Sequence, residues 1–156
     1  MNHTQNEILR ADDLYHVYDT EAIDGNVVAL RGLHLRLNQG EVVSIVGPSG
    51  AGKSTLMKCL GGLMKASAGD VFFEGKSIAR LNSAELLKLR QETVSFVFQN
   101  SNLLPYMTIL NNVAMPLKYM RVNPRRAKNE ALQLLERLGI KDHAKKLPSQ
   151  ISGGEK

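Results

Sequence analysis

Alternating and short apolar runs mark the first half of the chain. From Val27 to Leu37, alternate leucines fall on one face of a predicted β-strand, and the first forty residues are β-rich as a whole. The run Glu41–Val46 is apolar and short, as is typical of a buried parallel strand. A helix is predicted behind it from apolar residues at helical spacing: Leu56, Met57, Leu60, Leu63 and Met64.

The pattern then passes through a hairpin and a capped helix. Residues 71–78 are predicted to form a small hairpin around Glu74 and Gly75. Asn82 followed by Glu85 is typical of a helix start with a capping box, and this helix is expected to reach about Arg90. Residues 94–98 form another apolar run, which predicts a second buried strand.

The last third of the chain has helical periodicity from Thr108 onward. Pro116 is expected to interrupt or end one helix, since proline cannot donate a backbone hydrogen bond. Asn123 and Pro124 open another helix, which Gly139 closes. Its apolar face is predicted to comprise Ala127, Ala131, Leu134, Leu135 and Leu138. The coarse order is therefore β-rich, then α/β, then helical.

The segment between the first apolar strand and its helix carries the strongest chemical signal. Gly47–Thr55 reads G-P-S-G-A-G-K-S-T and fits G-x-x-x-x-G-K-[ST], a loop that holds nucleotide phosphates. Its glycines allow positive φ and close approach of the backbone, so that successive N–H groups and the helix N-terminus bind an anion. Lys53 adds a full charge for the β- and γ-phosphates, and the Ser54 hydroxyl is placed to ligate Mg²⁺. The alternative is a glycine turn that merely precedes a helix.

Composition indicates one globular core with a local excess of positive charge. The chain has 156 residues, of which 43% are hydrophobic and 22% charged, and its net charge is +5. Residues 118–146 hold nine Lys or Arg and three Asp or Glu. Such a segment can indicate nucleic acid or anionic lipid, although a solvated helix face is the favoured interpretation.

The single cysteine and the apolar runs bear on the cellular compartment. Cys59 lies on the apolar side of the predicted first helix, which favours a buried structural thiol. One cysteine permits no disulfide within the chain, and this suits a reducing compartment. No signal peptide and no run of about 20 apolar residues is expected from the sequence. The four histidines show no metal-ligand spacing and receive no role.

Three further segments, taken together with the phosphate loop, indicate a protein family. Gln99 directly follows the apolar run 94–98, Ile151–Glu155 reads I-S-G-G-E, and Tyr18 lies upstream of the loop. Together with the loop they resemble the nucleotide-binding domain of ATP-binding cassette (ABC) proteins, over essentially the whole chain. By this resemblance the loop is the Walker A motif, Gln99 is the Q-loop glutamine and Ile151–Glu155 is the signature motif L-S-G-G-Q. Tyr18, with Tyr15 as a rival, matches the aromatic residue that stacks on adenine.

The resemblance implies a role for each motif residue. Lys53 and Gln99 would act in catalysis, and Ser54 and Gln99 would contact Mg²⁺. The implied ATP-binding residues are Tyr18, Gly47, Pro48, Ser49, Gly50, Ala51, Gly52, Lys53, Ser54 and Thr55. Ser152, Gly153, Gly154 and Glu155 would contact ATP in trans, because two such domains pair head to tail around the nucleotide. Two departures, Ile151 for Leu and Glu155 for Gln, keep size or hydrogen-bonding reach.

The implied fold is an α/β P-loop NTPase (RecA-like) core with an N-terminal antiparallel β subdomain and an inserted helical subdomain. Residues 1–156 would form a partial ABC transporter ATP-binding domain. About 1–99 would hold the β subdomain and the Walker A part of the core, about 100–150 the helical subdomain, and 151–155 the signature. The Walker B Asp-Glu pair and the switch histidine of the family are not found, so the C-terminal part of the core is interpreted as missing. We expect such a fragment to bind ATP without hydrolysing it alone.

The implied function is the ATP-binding subunit of an ABC transporter, peripheral on the cytoplasmic face of the cell membrane and bound to separate integral membrane subunits. Residues 102–108 and 111–113 resemble the lipoprotein-release and macrolide-efflux ATPases, and residues 103–119 would receive the membrane partner. The alternative is a soluble ABC ATPase acting on DNA or ribosomes, supported by the basic segment. The compact spacings, 46 residues from Lys53 to Gln99 and 53 from Gln99 to Ser152, favour a transporter and make nucleic acid an unlikely partner.

Overall fold

A computed structural model describes residues 6–19 and 25–155 of the chain. The chain divides into two compact units, Met1–Phe96 and Val97–Lys156, and each is described by itself. The boundaries expected near 99 and 150 remain predictions.

The first unit contains a four-stranded antiparallel sheet. Its strands are β1 (Glu7–Tyr18), β2 (Val27–Asn38), β3 (Ala68–Phe73) and β4 (Lys76–Ser77), in the order β2-β1-β3-β4. The alternation predicted in β2 is confirmed: Leu33, Leu35 and Leu37 are half-buried against the core, and the residues between them are exposed. The hairpin predicted over 71–78 is confirmed as β3, a Glu74-Gly75 turn and β4.

One face of the sheet packs on helix α1 (Lys53–Leu60). The buried residues of this core are Leu9, Ala11, Leu14, Leu30, Leu56, Cys59, Leu60, Val71 and Ile78. Cys59 is buried as predicted, and this burial raises the pKa of its thiol. Helix α2 (Ser83–Glu92) has the predicted capping box: Asn82 accepts from the Ala84 and Glu85 N–H groups at 3.0 Å, and Glu85 accepts from the Asn82 N–H at 2.8 Å.

Three sequence predictions in this part of the chain are wrong. Glu41–Val46 and residues 94–98 are not strands: neither joins the sheet, and Val42 is 93% exposed. An apolar run becomes a strand only where a neighbouring strand completes its hydrogen-bond ladder, and the described sheet pairs with neither segment. Helix α1 also ends at Leu60 rather than Met64, because Gly61 and Gly62 follow and Gly62 turns the chain at a φ of 66°.

The second unit is built on two packed helices, α3 (Ile109–Tyr119) and α4 (Pro124–Arg137). Asn123 caps α4 as predicted and Pro124 is its first residue. Pro116 does not end α3, which continues to Tyr119, since losing one hydrogen bond near a helix end is tolerated. The buried core contains Ile109, Leu110, Ala114, Ala131, Leu135, Ala144 and Ile151. Leu134 and Leu138 were predicted on the buried face, but they are 43% and 72% exposed.

The two leucines at the end of α4 provide a matched test of this core. Leu135 is 1% exposed, so Leu135→Ala should lower the free energy of unfolding by about 2–5 kcal/mol through lost burial and a cavity. Leu138→Ala, at an exposed position, should change it by no more than about 0.5 kcal/mol. Urea unfolding followed by far-UV circular dichroism measures both, and equal losses would contradict the packing described.

Candidate nucleotide site

Two glycines give the phosphate loop its backbone path. Gly50 and Gly52 both have a φ of 82°, in the left-handed region that other residues rarely adopt. Gly52 is the N-cap of α1 and has no side chain to cap the first turn. The loop therefore leads directly into a helix N-terminus whose first N–H groups have no intrahelical acceptor.

Gly52 is also constrained by a close approach to the sheet. A Cβ at this position would overlap the carbonyl oxygen of Ala29 in β2 and contact the Leu30 side chain at 3.3 Å. A Cβ at Gly50 would meet open space. The start of α1 thus lies against the backbone of β2 only because residue 52 has no side chain.

The ammonium group of Lys53 is folded over the loop. Its Nζ donates hydrogen bonds to the carbonyl oxygens of Gly47 at 2.7 Å and Pro48 at 2.6 Å. The Ser54 side chain next to it is exposed, whereas Thr55 is buried. A positive charge, a helix N-terminus and a glycine loop therefore lie within one short segment, which is the donor set that a polyphosphate requires.

Tyr18 is connected to the same segment through a side-chain hydrogen bond. Its hydroxyl lies 3.0 Å from the Thr55 hydroxyl and 3.6 Å from the Met64 sulfur. Its ring meets that of His16 edge-on, with centroids 4.6 Å apart. The rival Tyr15 is 38% exposed, and its ring lies beside Gly32 of β2. Of the two tyrosines, Tyr18 is the one in contact with the phosphate-loop helix.

Gln99 belongs to a different unit of the chain from the phosphate loop. It is exposed, occupies a bend and belongs to the second unit, whereas Lys53 belongs to the first. The strand expected to precede it is not formed. The role that the sequence gives to Gln99 stays a prediction.

The segment Ile151–Glu155 has an ordered polar arrangement in the second unit. Ile151 is buried, and Gly153–Glu155 forms a single 3₁₀ turn. The Glu155 carboxylate accepts from the Ser152 hydroxyl at 2.7 Å and from the Ser152 N–H at 2.8 Å. These bonds, with a smaller contribution from His143, lower the pKa of Glu155 to about 2.

His143 is the residue that sequence reasoning missed. Its Nε2 lies 2.9 Å from the second Glu155 carboxylate oxygen. The two residues are twelve positions apart, with a turn and a short 3₁₀ helix between them, so no motif spacing could have revealed the contact.

Residues 6–19 and 25–155 contain neither a cluster of metal-ligating side chains nor a membrane-spanning helix. Within these ranges no group of three or more His, Cys, Asp or Glu side chains could hold a metal ion. Nor does any helix there have the length and apolar character to cross a bilayer.

Comparisons with known proteins agree with this geometry. Residues 30–156 match the model of the family described as ABC transporter. An uncharacterized ABC transporter ATP-binding protein of Thermotoga maritima is 39% identical over 96% of this chain and 63% of its own length. The lipoprotein-releasing system ATP-binding protein LolD of Alcanivorax borkumensis is 42% identical over 96% of this chain and 64% of that protein. The chain thus spans about two thirds of the length of these relatives.

Solved structures give the same result for the fold. The ATP-binding cassette MJ0796, in a dimeric post-hydrolysis state bound to ADP and Pi, superposes with a TM-score of 0.85 at 32% identity. The superposition covers 95% of this chain and 65% of that one. The antiparallel sheet, phosphate-loop helix and helical unit are those of an ABC cassette, which confirms the α/β fold class.

The combined sequence and structural matches define a nucleotide-binding cassette of the P-loop class. The chain belongs to the ABC transporter family.

The two positive-φ glycines of the loop supply a matched prediction. Gly50→Ala should cost only the left-handed conformation, about 1–2 kcal/mol of unfolding free energy. Gly52→Ala should cost at least about 1 kcal/mol more, because its Cβ also overlaps the Ala29 carbonyl. Urea unfolding of both variants measures the difference, and a Gly52→Ala variant as stable as Gly50→Ala would show that α1 does not depend on this approach.

Proposed function

We propose that this chain acts as the ATP-binding subunit of an ABC transporter, coupling ATP binding and hydrolysis to transport through separate membrane subunits. The observation that carries the proposal is the Lys53 ammonium held over the glycine loop at the N-terminus of α1. This arrangement offers a full charge, a helix dipole and free N–H groups to a nucleotide phosphate.

In the proposed site the loop binds the phosphates and Tyr18 contacts the base. The nucleotide-contacting residues are Tyr18, Gly47, Pro48, Ser49, Gly50, Ala51, Gly52, Lys53, Ser54 and Thr55. Nucleotide phosphates would replace the Gly47 and Pro48 carbonyls as partners of the Lys53 ammonium. The Tyr18–Thr55 hydrogen bond would couple the position of the aromatic ring to the first turn of α1.

The proposed metal is Mg²⁺, which the Ser54 hydroxyl and the nucleotide would hold. The Mg²⁺ contact of Gln99 stays a prediction from the family resemblance. Ser54 fits because its side chain is exposed in the first turn of α1, beside Lys53. Bound Mg²⁺ would neutralise phosphate charge and orient the terminal phosphate for attack. Lys53 is proposed to act on that phosphate, and the catalytic role of Gln99 stays a prediction.

A second proposed contact with ATP comes from the signature of another copy. Ser152, Gly153, Gly154 and Glu155 form a turn, in which the N–H groups of Gly153 and Gly154 would be the donors to a phosphate, because the Ser152 hydroxyl and N–H are donated to Glu155. MJ0796, which this chain resembles over 95% of its length, was solved as a dimer bound to ADP and Pi. We infer a head-to-tail dimer in which each nucleotide lies between one phosphate loop and one signature.

The proposed transport partners are integral membrane subunits, which would place the protein on the cytoplasmic face of the cell membrane. Relatives of this chain are named for lipoprotein release and, in Rhizobium johnstonii, for methionine import. Residues 103–119 are proposed to receive the membrane subunit, and large apolar side chains are exposed in this range at Leu104, Tyr106 and Tyr119. None of the relatives described above is named for DNA or ribosomes, so the basic segment is what supports the alternative function.

Hydrolysis is proposed to need more than residues 1–156. The sequence offers no apolar run followed by Asp-Glu, so a general base and a metal carboxylate of the family's kind are not found in it. Binding without turnover is therefore the expected behaviour of these residues by themselves.

The Lys53 charge is tested by comparing two lysines of α1. Lys53→Ala should weaken ATP binding by residues 1–156 at least about ten-fold, because a charge-assisted contact to phosphate is lost. Lys58→Ala removes an exposed lysine one turn further along the same helix and should leave affinity unchanged. Calorimetric titration with Mg²⁺-ATP measures both, and equal affinities would refute the phosphate site. Sustained ATP turnover by residues 1–156 that Lys53→Ala abolishes would contradict the proposal on hydrolysis.

A further inference from the structure

A carboxylate bridges the signature turn and the chain that precedes it. One Glu155 oxygen, Oε2, accepts both the Ser152 N–H at 2.8 Å and the Ser152 hydroxyl at 2.7 Å. The other, Oε1, lies 2.9 Å from His143 Nε2. The His143 and Glu155 side chains are 22% and 35% exposed, so water competes only partly for these contacts.

The surroundings of the two ring nitrogens indicate which of them carries the hydrogen in the contact between His143 and Glu155. Nδ1 is buried and has no hydrogen-bond partner among residues 6–19 and 25–155. A hydrogen on Nε2 lets the ring donate to Glu155 and leaves only a lone pair at Nδ1. An ionised carboxylate can only accept, so the hydrogen of this contact lies on Nε2. His143 therefore acts toward Glu155 as an N–H donor.

His143 is itself fixed to the frame of the second unit. It ends a 3₁₀ turn, Lys141–His143, and the next residue, Ala144, is buried with Ile151 in the α3–α4 core. The carbonyl oxygens of Ala144 and Lys146 accept from the first N–H groups of α3, those of Leu110 and Ile109, at 3.0 and 2.9 Å. The imidazole thus extends from a segment that caps the N-terminus of α3.

We propose that His143 is a positioning residue for the signature: by donating to Glu155, it holds this carboxylate against Ser152 and so fixes the turn that presents the Gly153 and Gly154 N–H groups to a nucleotide. The proposal rests on the proposed function, in which the signature turn contacts ATP bound to another copy. His143 touches neither ATP nor the reacting atoms in this account. It acts through Glu155 by restricting the carboxylate to the position that orders Ser152.

Two substitutions of His143 separate donation from packing. His143→Gln keeps an N–H donor on a side chain of similar reach, whereas His143→Phe keeps a flat ring and removes the donor. Lys141→Ala is the control, because Lys141 lies on the same 3₁₀ turn but pairs with Glu136 at 2.8 Å. All variants are made in the full-length protein that the cell produces, whatever its length.

The first readout is hydrogen exchange of the Ser152 amide, whose acceptor is Glu155. His143→Phe should accelerate this exchange by about five-fold or more, since the acceptor is no longer held. His143→Gln and Lys141→Ala should stay near the wild-type rate. Equal rates in the Phe and Gln variants would overturn the proposal, whatever happens to activity.

The second readout is pairing of two copies in a non-hydrolysable ATP analogue, measured by sedimentation. His143→Phe should weaken pairing about ten-fold without changing the affinity of an isolated copy for nucleotide, and His143→Gln should restore pairing. Normal pairing in His143→Phe would overturn the positioning role. Failure of the wild-type protein to pair would contradict the proposed function and with it the contact of the signature turn across copies. Ser152 exchange would still decide whether His143 orders the turn.

A double-variant cycle keeps the proposal testable if His143→Phe folds poorly. Glu155→Ala removes the acceptor directly and should accelerate Ser152 exchange as much as His143→Phe does. Adding His143→Ala, which removes the donor, to Glu155→Ala should then have no further effect, because His143 acts only through the carboxylate. An additional acceleration in the double variant would overturn the proposal.

Discussion

The structure of the phosphate loop depends on the absence of a side chain at residue 52. There the backbone adopts a φ of 82° and passes so close to the Ala29 carbonyl that no Cβ fits. This approach lets α1 begin against β2, with Leu56 and Cys59 in the core and Lys53 and Ser54 at the exposed end. Core packing and the proposed anion site thus both depend on one glycine, since the helix that buries Leu56 is also the helix whose N-terminus is proposed to bind phosphate.

The signature turn is ordered by a different kind of interaction. No close backbone approach fixes it: Cβ atoms built at Gly153 and Gly154 would contact nothing within 4 Å. Its order comes from Glu155, which collects two hydrogen bonds from Ser152 and one from His143. These bonds lower the pKa of Glu155 to about 2, so the carboxylate stays ionised even in acidic solution where a free glutamate would be protonated. Glutamate in place of the family's glutamine therefore brings a charged acceptor to the turn.

Most elements of the fold could be predicted from local sequence signals. The predictions that failed concern segments whose structure depends on residues far away in the sequence. The Asn82–Glu85 capping box, the Glu74-Gly75 hairpin and the Asn123-Pro124 start each lie within a few residues of what they determine. Glu41–Val46 has the composition of a strand, but a strand also needs neighbouring strands to pair with, and composition does not show whether these exist. The described sheet contains no strand that pairs with this segment. The phosphate loop could be located by its motif, whereas the His143 contact with Glu155 depends on how the chain turns over the twelve intervening positions.

The central claim is that one phosphate loop and one signature, from two copies, enclose each ATP. The most direct test is oxidative cross-linking of a variant that carries both Ser49→Cys and Ser152→Cys, with the buried Cys59 left in place. The account predicts a disulfide-linked dimer that forms when ATP is present and does not form when Lys53→Ala is added. The disulfide requires the Cβ atoms of residue 49 in one copy and residue 152 in the other to lie within about 4.5 Å. Cross-links that form within one chain, or to the same extent without nucleotide, would contradict it.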